Sequence, residues 1–328
     1  MKFMRKTGML ALLTACICAV PYKSAVSAEY PTTPIKLVVP VVPGGSADAL
    51  ARVLAEELAA AFKQSVVVEN KPGAGMVIGL SAVARAEPDG YTLGVGPRGP
   101  LIIGPTVPGG LPFEPNEKFA AVAKVASVPI VIVANADTGI KSWDDVINKA
   151  KASSEGLSFA SPGEYTSHRI SVEIVAQKTN VKLNHIPYRG GGQALVDLLG
   201  GRVPIAALDL ISVQQYIDSG RLNALGVTGS RRALMAPGIS TMRELGYDVA
   251  PVDSWLGIFA PAGTPQNVIE KLSSQIEKSM KQPHILEKIK GVGLDPDFEP
   301  ASVFAQTVTK DLETWKKLKD VVLPQATK

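Results

Sequence analysis

Nine short apolar segments alternate with helical stretches along almost the whole chain, and this alternation constrains the fold more than any other feature. Strands are expected at 35–42, 65–69, 91–95, 129–134, 157–160, 184–187, 204–208, 222–227 and 255–259. Helical patterns fill the gaps at 48–62, 77–86, 143–152, 167–179, 192–199 and 212–219, and three more follow at 265–280, 283–290 and 301–322. Strands linked by crossover helices imply an α/β fold with largely parallel sheets, covered on both faces. Runs such as Ile130-Val131-Ile132-Val133-Ala134 are apolar throughout, as strands buried on both faces are. No heptad run, low-complexity tract or repeat of 20–50 residues is present.

The first 28 residues are read separately. Lys2, Arg5 and Lys6 make a basic start, Gly8 to Val20 is apolar, and Val26-Ser27-Ala28 offers small residues. This is the pattern of a secretory signal cleaved near Ala28, and its apolar run is short of the roughly 20 residues a membrane span needs. Leu13-Thr14-Ala15-Cys16 also resembles a lipoprotein cleavage box, so a form lipid-anchored at Cys16 is the alternative. Cys16 and Cys18 are the only cysteines, so cleavage after Ala28 leaves no thiol and no disulfide. Lys2, Arg5, Lys6 and Lys23 are four of the 34 basic residues, and no acidic residue precedes Glu29. The remaining 30 basic and 30 acidic residues balance, so the basic pI gives no support to nucleic-acid binding.

The loops after the strands carry the functional signal. Pro43-Gly44-Gly45-Ser46 separates the first strand from a helix whose apolar stripe is Leu50, Val53, Leu54 and Leu58. Ser46 reads as its N-cap, with Asp48 in the first turn where the macrodipole favours negative charge. Strand, glycine turn and helix start together can hold an anion on backbone N–H groups. The layout recurs at Ser161-Pro162-Gly163-Glu164-Tyr165-Thr166 and at His185 to Gly192. Several helix starts should therefore gather at the carboxyl edges of the sheets, where open α/β proteins bind ligands.

Catalytic constellations are mostly absent. There is no phosphate loop, no Gly-x-Ser-x-Gly elbow and no His-Glu-x-x-His, and His168, His185 and His284 lack metal-ligand spacing. Gly73-Ala74-Gly75 and Gly79 invite a dinucleotide reading, but the spacing is one residue too long and Lys71-Pro72 interrupts the turn. A backbone anion site there fits better. Arg98, boxed by Pro and Gly after a strand, either pairs with a carboxylate or is a solvated loop residue. His168 either contacts ligand or braces its helix. Asp209 either binds or caps the next helix.

Together these segments resemble the periplasmic substrate receptors of tripartite tricarboxylate transporters, the TctC or Bug group. The resemblance rests on Tyr30-Pro31, the 43–48 loop with Ala51-Arg52, Val68-Glu69-Asn70-Lys71-Pro72-Gly73-Ala74-Gly75 and Pro88-Asp89-Gly90-Tyr91-Thr92-Leu93. It continues through Ile186-Pro187-Tyr188-Arg189-Gly190-Gly191, Asp197 to Val203, Ser219 to Thr228 and Ala260 to Pro265. It implies a two-lobed periplasmic binding protein type II fold, each lobe a mostly parallel sheet flanked by helices, with the ligand cleft between lobes. Lobe one would combine 29–126 with 252–328, and lobe two would be 127–251. By position, the ligand-binding residues would be Gly44, Gly45, Ser46, Asp48, Gly75, Met76, Ser161, Gly163, Tyr165, Thr166, His168 and Asp209, and Arg98 joins them on its own chemistry rather than by position.

The resemblance further implies a monomeric receptor that takes a small organic carboxylate and delivers it to membrane permease subunits. No enzyme activity, metal, cofactor or nucleic acid is expected. Met76 and Arg98 depart from the family pattern, and an apolar side chain beside an extra cation would suit an aromatic or partly apolar carboxylate. The rival readings are a secreted α/β enzyme, dinucleotide-dependent or hydrolytic, and a receptor that feeds a signalling protein.

Overall fold

A computed structural model describes residues 30–107, 110–249 and 252–322. The leader read over 1–28, with Cys16 and Cys18, lies outside the described residues. Strand β1 (Ile35–Val39) leads to helix α1 (Ser46–Phe62), β2 (Val66–Asn70) to α2 (Val77–Ala84), and β3 (Thr92–Pro97) to α3 (Arg98–Ile102). A one-turn α4 (Pro115–Lys118) precedes β4 (Phe119–Val128). Beyond Pro129 come β5 (Ile130–Asn135), α5 (Trp143–Lys151), β6 (Leu157–Ser161), α6 (Ser167–Lys178), β7 (Leu183–Pro187) and α7 (Gly191–Leu199). Then follow β8 (Ile205–Asp209), α8 (Leu210–Asp218), β9 (Leu222–Val227), β10 (Ser254–Pro261), α9 (Gln266–Met280), α10 (Pro283–Gly291), β11 (Asp295–Pro300) and α11 (Ala301–Val322).

The strands form two sheets. The first has the order β11-β4-β10-β3-β1-β2 and the second β7-β6-β8-β5-β9. Each is mixed rather than mostly parallel. The pairs built through crossover helices, β1 with β2 and β3 and β6 with β7 and β8, are parallel. Strands β5 and β10, which begin just after the chain has passed from one sheet to the other, pair antiparallel with both neighbours. No crossover helix returns them in the same sense, so an antiparallel ladder is the geometry open to them.

The apolar runs are explained by burial on two faces. In β5, Ile130, Ile132 and Ala134 pack into one core with Trp143, Phe159 and Val172, whereas Val131 and Val133 pack into another with Leu198, Leu208 and Val213. That is the period-two alternation of a central strand. The first sheet has its own core, built from Val38, Leu101, Trp255, Phe259, Phe304 and Trp315. Ile170, from α6 beside the second sheet, joins this core, so the N-terminal half of α6 is shared between the two halves of the molecule.

Candidate functional site

The loops from the strand ends converge where helix starts of the first sheet face those of the second. In the first loop Gly45, not Ser46, is the N-cap of α1, and Ser46 is the first helical residue. Its hydroxyl is thereby released from capping. It donates instead to Oδ2 of Asp209 on the other sheet, at 3.4 Å. Asp48 is engaged inside the protein. It is buried and accepts from the Gly44 N–H at 3.0 Å, Arg52 Nε at 3.0 Å, Arg52 Nη2 at 3.1 Å and Asn70 Nδ2 at 2.9 Å. Burial pushes the carboxyl up, but these hydrogen bonds and the Arg52 charge outweigh it and hold it below the usual range. Asp48 therefore shapes the glycine turn from behind.

The second loop approaches Tyr165. Gly75 has φ +60°, and a Cβ there would lie 2.7 Å from Tyr165 Cδ2, so both its conformation and its neighbour favour glycine. Met76, also at positive φ, caps α2, and its side chain packs against the first core.

Arg98 opens helix α3 rather than lying in a loop. Its Nε donates to Asp311 Oδ2 of α11 at 2.8 Å, and the same oxygen accepts from Trp255 Nε1 at 2.9 Å. The guanidinium thus already has a carboxylate inside the protein. The next residue, Gly99, touches the other sheet's helix start. A Cβ there would be 2.6 Å from Tyr165 O and 3.0 Å from both Thr166 Cα and Ser167 N.

On the second sheet, β6 ends at Ser161, which is fully buried. Its hydroxyl donates to Gly163 O at 3.0 Å and meets His185 Nε2 at 2.7 Å. Thr166 caps α6, accepting from Arg169 N, and its own hydroxyl donates to Gly163 O at 2.8 Å. These bonds fix the 161–166 turn. Burial, and then the charge of Arg169, pushes His185 down to about 3, so it is neutral near pH 7. A serine beside a neutral histidine has the outline of a nucleophile and base, but this hydroxyl is sealed inside the fold. Asp209, at the end of β8, sits at the N-cap position of α8 without making a cap hydrogen bond. Its Oδ1 accepts from His168 Nε2 at 2.7 Å, so His168 braces Asp209.

The structure therefore brings Ser46, Gly75, Tyr165, Thr166, His168 and Asp209 together, with Gly44 and Gly45 at the turn and the Gly163 carbonyl behind it. Asp48, Met76, Arg98 and Ser161 make internal contacts. Gly99 and Ser167 lie outside the set expected from sequence. The signal for Gly99 was its place between Arg98 and Pro100 at a strand end, while the burial of Ser167 depends on α3 and has no local signature. Among the described residues no His, Cys, Asp and Glu group could hold a metal ion.

The model of the family described as tripartite tricarboxylate transporter family receptor matches residues 50–322. The chain belongs to that family. It is 34% identical over 314 residues to BugT of Bordetella pertussis, covering 95% of this chain and 96% of that one. A protein encoded in the tcbD–tcbE intergenic region of a Pseudomonas species is 35% identical over 290 residues, 88% of this chain and 86% of that one. Among solved structures, the periplasmic binding protein BugD has a TM-score of 0.78 at 32% identity, covering 89% of this chain and 98% of its own. An R. palustris protein solved with adipate has a TM-score of 0.82 at 26% identity, covering 90% and 98%. MatC of Rhodopseudomonas palustris, with bound malate, has 0.77 at 26% identity, covering 88% and 99%. The family is one of transporter receptors, and the solved neighbours are two-lobed periplasmic binding proteins and not enzymes, which removes the dinucleotide and hydrolase readings. Among the described residues no helix is long and apolar enough to cross a membrane.

Proposed function

We propose that this receptor captures a small organic carboxylate between its two sheets and delivers it to the permease subunits of a tripartite tricarboxylate-type transporter. The observation that carries the reading is the meeting of helix starts across the cleft, Ser46 with Asp209 and Gly75 and Gly99 with Tyr165 to Ser167. Backbone N–H groups at such starts are suited to a carboxylate, directly or through ordered water. The adipate and malate in the two R. palustris structures support the same ligand class.

In this reading lobe one is 29–126 with 252–328, lobe two is 127–251, and they rotate about the passages at Pro129 and between β9 and β10. The ligand meets Gly44, Gly45, Ser46, Gly75, Tyr165, Thr166 and Asp209, with His168 behind Asp209. The two features that favoured an aromatic ligand lose their force, because Arg98 is paired with Asp311 and Met76 packs into the core. A monomer exported by cleavage of the leader near Ala28 completes the proposal.

A thermal-shift screen of mono-, di-, tri- and aromatic carboxylates on protein stripped of carried-over ligand tests it. At least one class should raise the melting temperature, since binding stabilises the native state by mass action. No shift with any class, on protein shown to be folded, refutes the carboxylate reading.

A further inference from the structure

Asp209 is an unusual group to find in a cleft suited to anions. A carboxylate at a helix N-cap position ordinarily turns back to accept from the first backbone N–H groups. This one does not. His168 Nε2, which must donate to an ionised carboxylate, holds Oδ1 at 2.7 Å, while Oδ2 is met by Ser46 Oγ at 3.4 Å, the outer limit of a hydrogen bond. The side chain keeps 30% of its exposure although it lies where the two sheets meet. On the turn of α6 that carries this histidine, Ser167 Oγ and His168 Nδ1 are buried and have no hydrogen-bond partner among the described residues. Buried polar atoms without partners are rare, and here two lie within one turn of α6, one of them on the imidazole that holds a carboxylate with acceptor capacity to spare. A plain acid chain lying here would set apolar carbon, or a second negative charge, against Asp209. A hydroxyl or ammonium group would instead supply the short hydrogen bond that Ser46 does not.

We infer that Asp209 is the specificity-determining acceptor of the cleft, selecting carboxylates that carry a hydroxyl or ammonium group over unsubstituted ones, with His168 as its positioning residue. This rests on the carboxylate-receptor reading above. It concerns which member of that class is chosen, and Asp209 selects by what it accepts rather than by holding the ligand's own carboxylate.

The test is calorimetry with matched acids that differ at one carbon: propionate, lactate and alanine; succinate, malate and aspartate; glutarate, 2-hydroxyglutarate and glutamate. In the wild-type protein the substituted member of at least one set should bind at least tenfold more tightly than its plain counterpart. In Asp209→Asn, whose amide still offers an oxygen but no charge, the ratio should fall to within about threefold. Asp209→Ser serves the same purpose if the first variant does not fold. Equal binding of plain and substituted acids by the wild-type protein overturns the inference, as does a preference that survives in the Asp209 variants. Either result leaves the carboxylate reading standing. No binding by any member, with no hit in the wider carboxylate screen, overturns both.

Discussion

The Arg98–Asp311–Trp255 contact separates two uses of one arginine, and replacing Asp311 by alanine measures which is correct. Arg98 keeps 13% of its side-chain exposure and Asp311 23%, so the pair is largely out of water. Removing one partner of a buried ion pair costs about 3–5 kcal/mol. Because Asp311 is partly open to solvent, we discount that for screening to about 2 kcal/mol for the ion pair itself. The buried Trp255 indole N–H loses its acceptor as well, so a total near 3 kcal/mol is expected. Unfolding entropy of about 2.1 cal/mol/K per residue amounts to roughly 0.6 kcal/mol/K for a chain of this size, so the melting temperature should fall by about 5 °C. Scanning calorimetry and urea unfolding read this directly. In an Arg98→Met background the same Asp311→Ala change should cost only about 1 kcal/mol, since just the indole bond is then lost. Arg98→Ala should lower stability while leaving carboxylate affinity within about threefold at 25 °C, the scale of an indirect effect. A shift below 1 °C in Asp311→Ala, combined with a tenfold loss of affinity in Arg98→Ala, would refute this reasoning and return Arg98 to the ligand, since a charged hydrogen bond of about 1.5–3 kcal/mol is a factor of tenfold or more.

Gly99→Ala places a methyl group 2.6 Å from a backbone oxygen that cannot turn away, so the two sets of helix starts should fail to seat. Ligand affinity should fall at least tenfold and small-angle scattering should show no compaction on ligand addition, whereas Gly291→Ala, where a Cβ meets open space, should compact normally. His185 supplies a pH dependence. Its folded pKa, about 3, lies below the unfolded value of 6.5, so its contribution is fully present above pH 6.5 and is lost as pH falls toward 3. Urea unfolding should show about 2 kcal/mol lost between pH 6.5 and pH 5, at 1.36 kcal/mol per unit. His185→Gln should flatten that slope, and an unchanged slope would show that other groups set it.

Most of the fold was legible because its code is local. Period-two and period-3.6 apolar patterns, with Gly and Pro between them, placed nine of the strands and nearly every long helix to within a few residues, and the family resemblance rested on the loops that join them. Two strands were not legible. Strand β4, Phe-Ala-Ala-Val-Ala-Lys-Val-Ala-Ser-Val, is rich in alanine and carries Lys124 at its middle, and β11, Asp-Pro-Asp-Phe-Glu-Pro, has two prolines and three acids. Neither composition favours a strand. They form because they pair with each other at one end of the sheet, where proline is tolerated and where Lys124 Nζ meets Asp297 at 2.8 Å and Glu299 at 3.0 Å.

The same division runs through the site. By itself the sequence determined which loops would stand at strand ends with a helix behind them, since that follows from residue order and from what glycine and proline permit. It placed Gly44 to Ser46, Gly75, Tyr165, Thr166, His168 and Asp209 among the residues to watch. Only the tertiary structure decided how each polar group there is spent. Arg98 reads in sequence as a charge boxed by Pro and Gly, yet Asp311, 213 positions away, claims it, and Asp48 is held by Asn70, 22 positions away, as well as by its near neighbour Arg52. Asp209 reads equally as a helix cap or a binding group, and it is Ser46, 163 positions away, and His168 that engage its two oxygens. A charged group's role depends on which partners the fold brings within about 3 Å, and partners that far apart in the chain leave no mark on the local sequence.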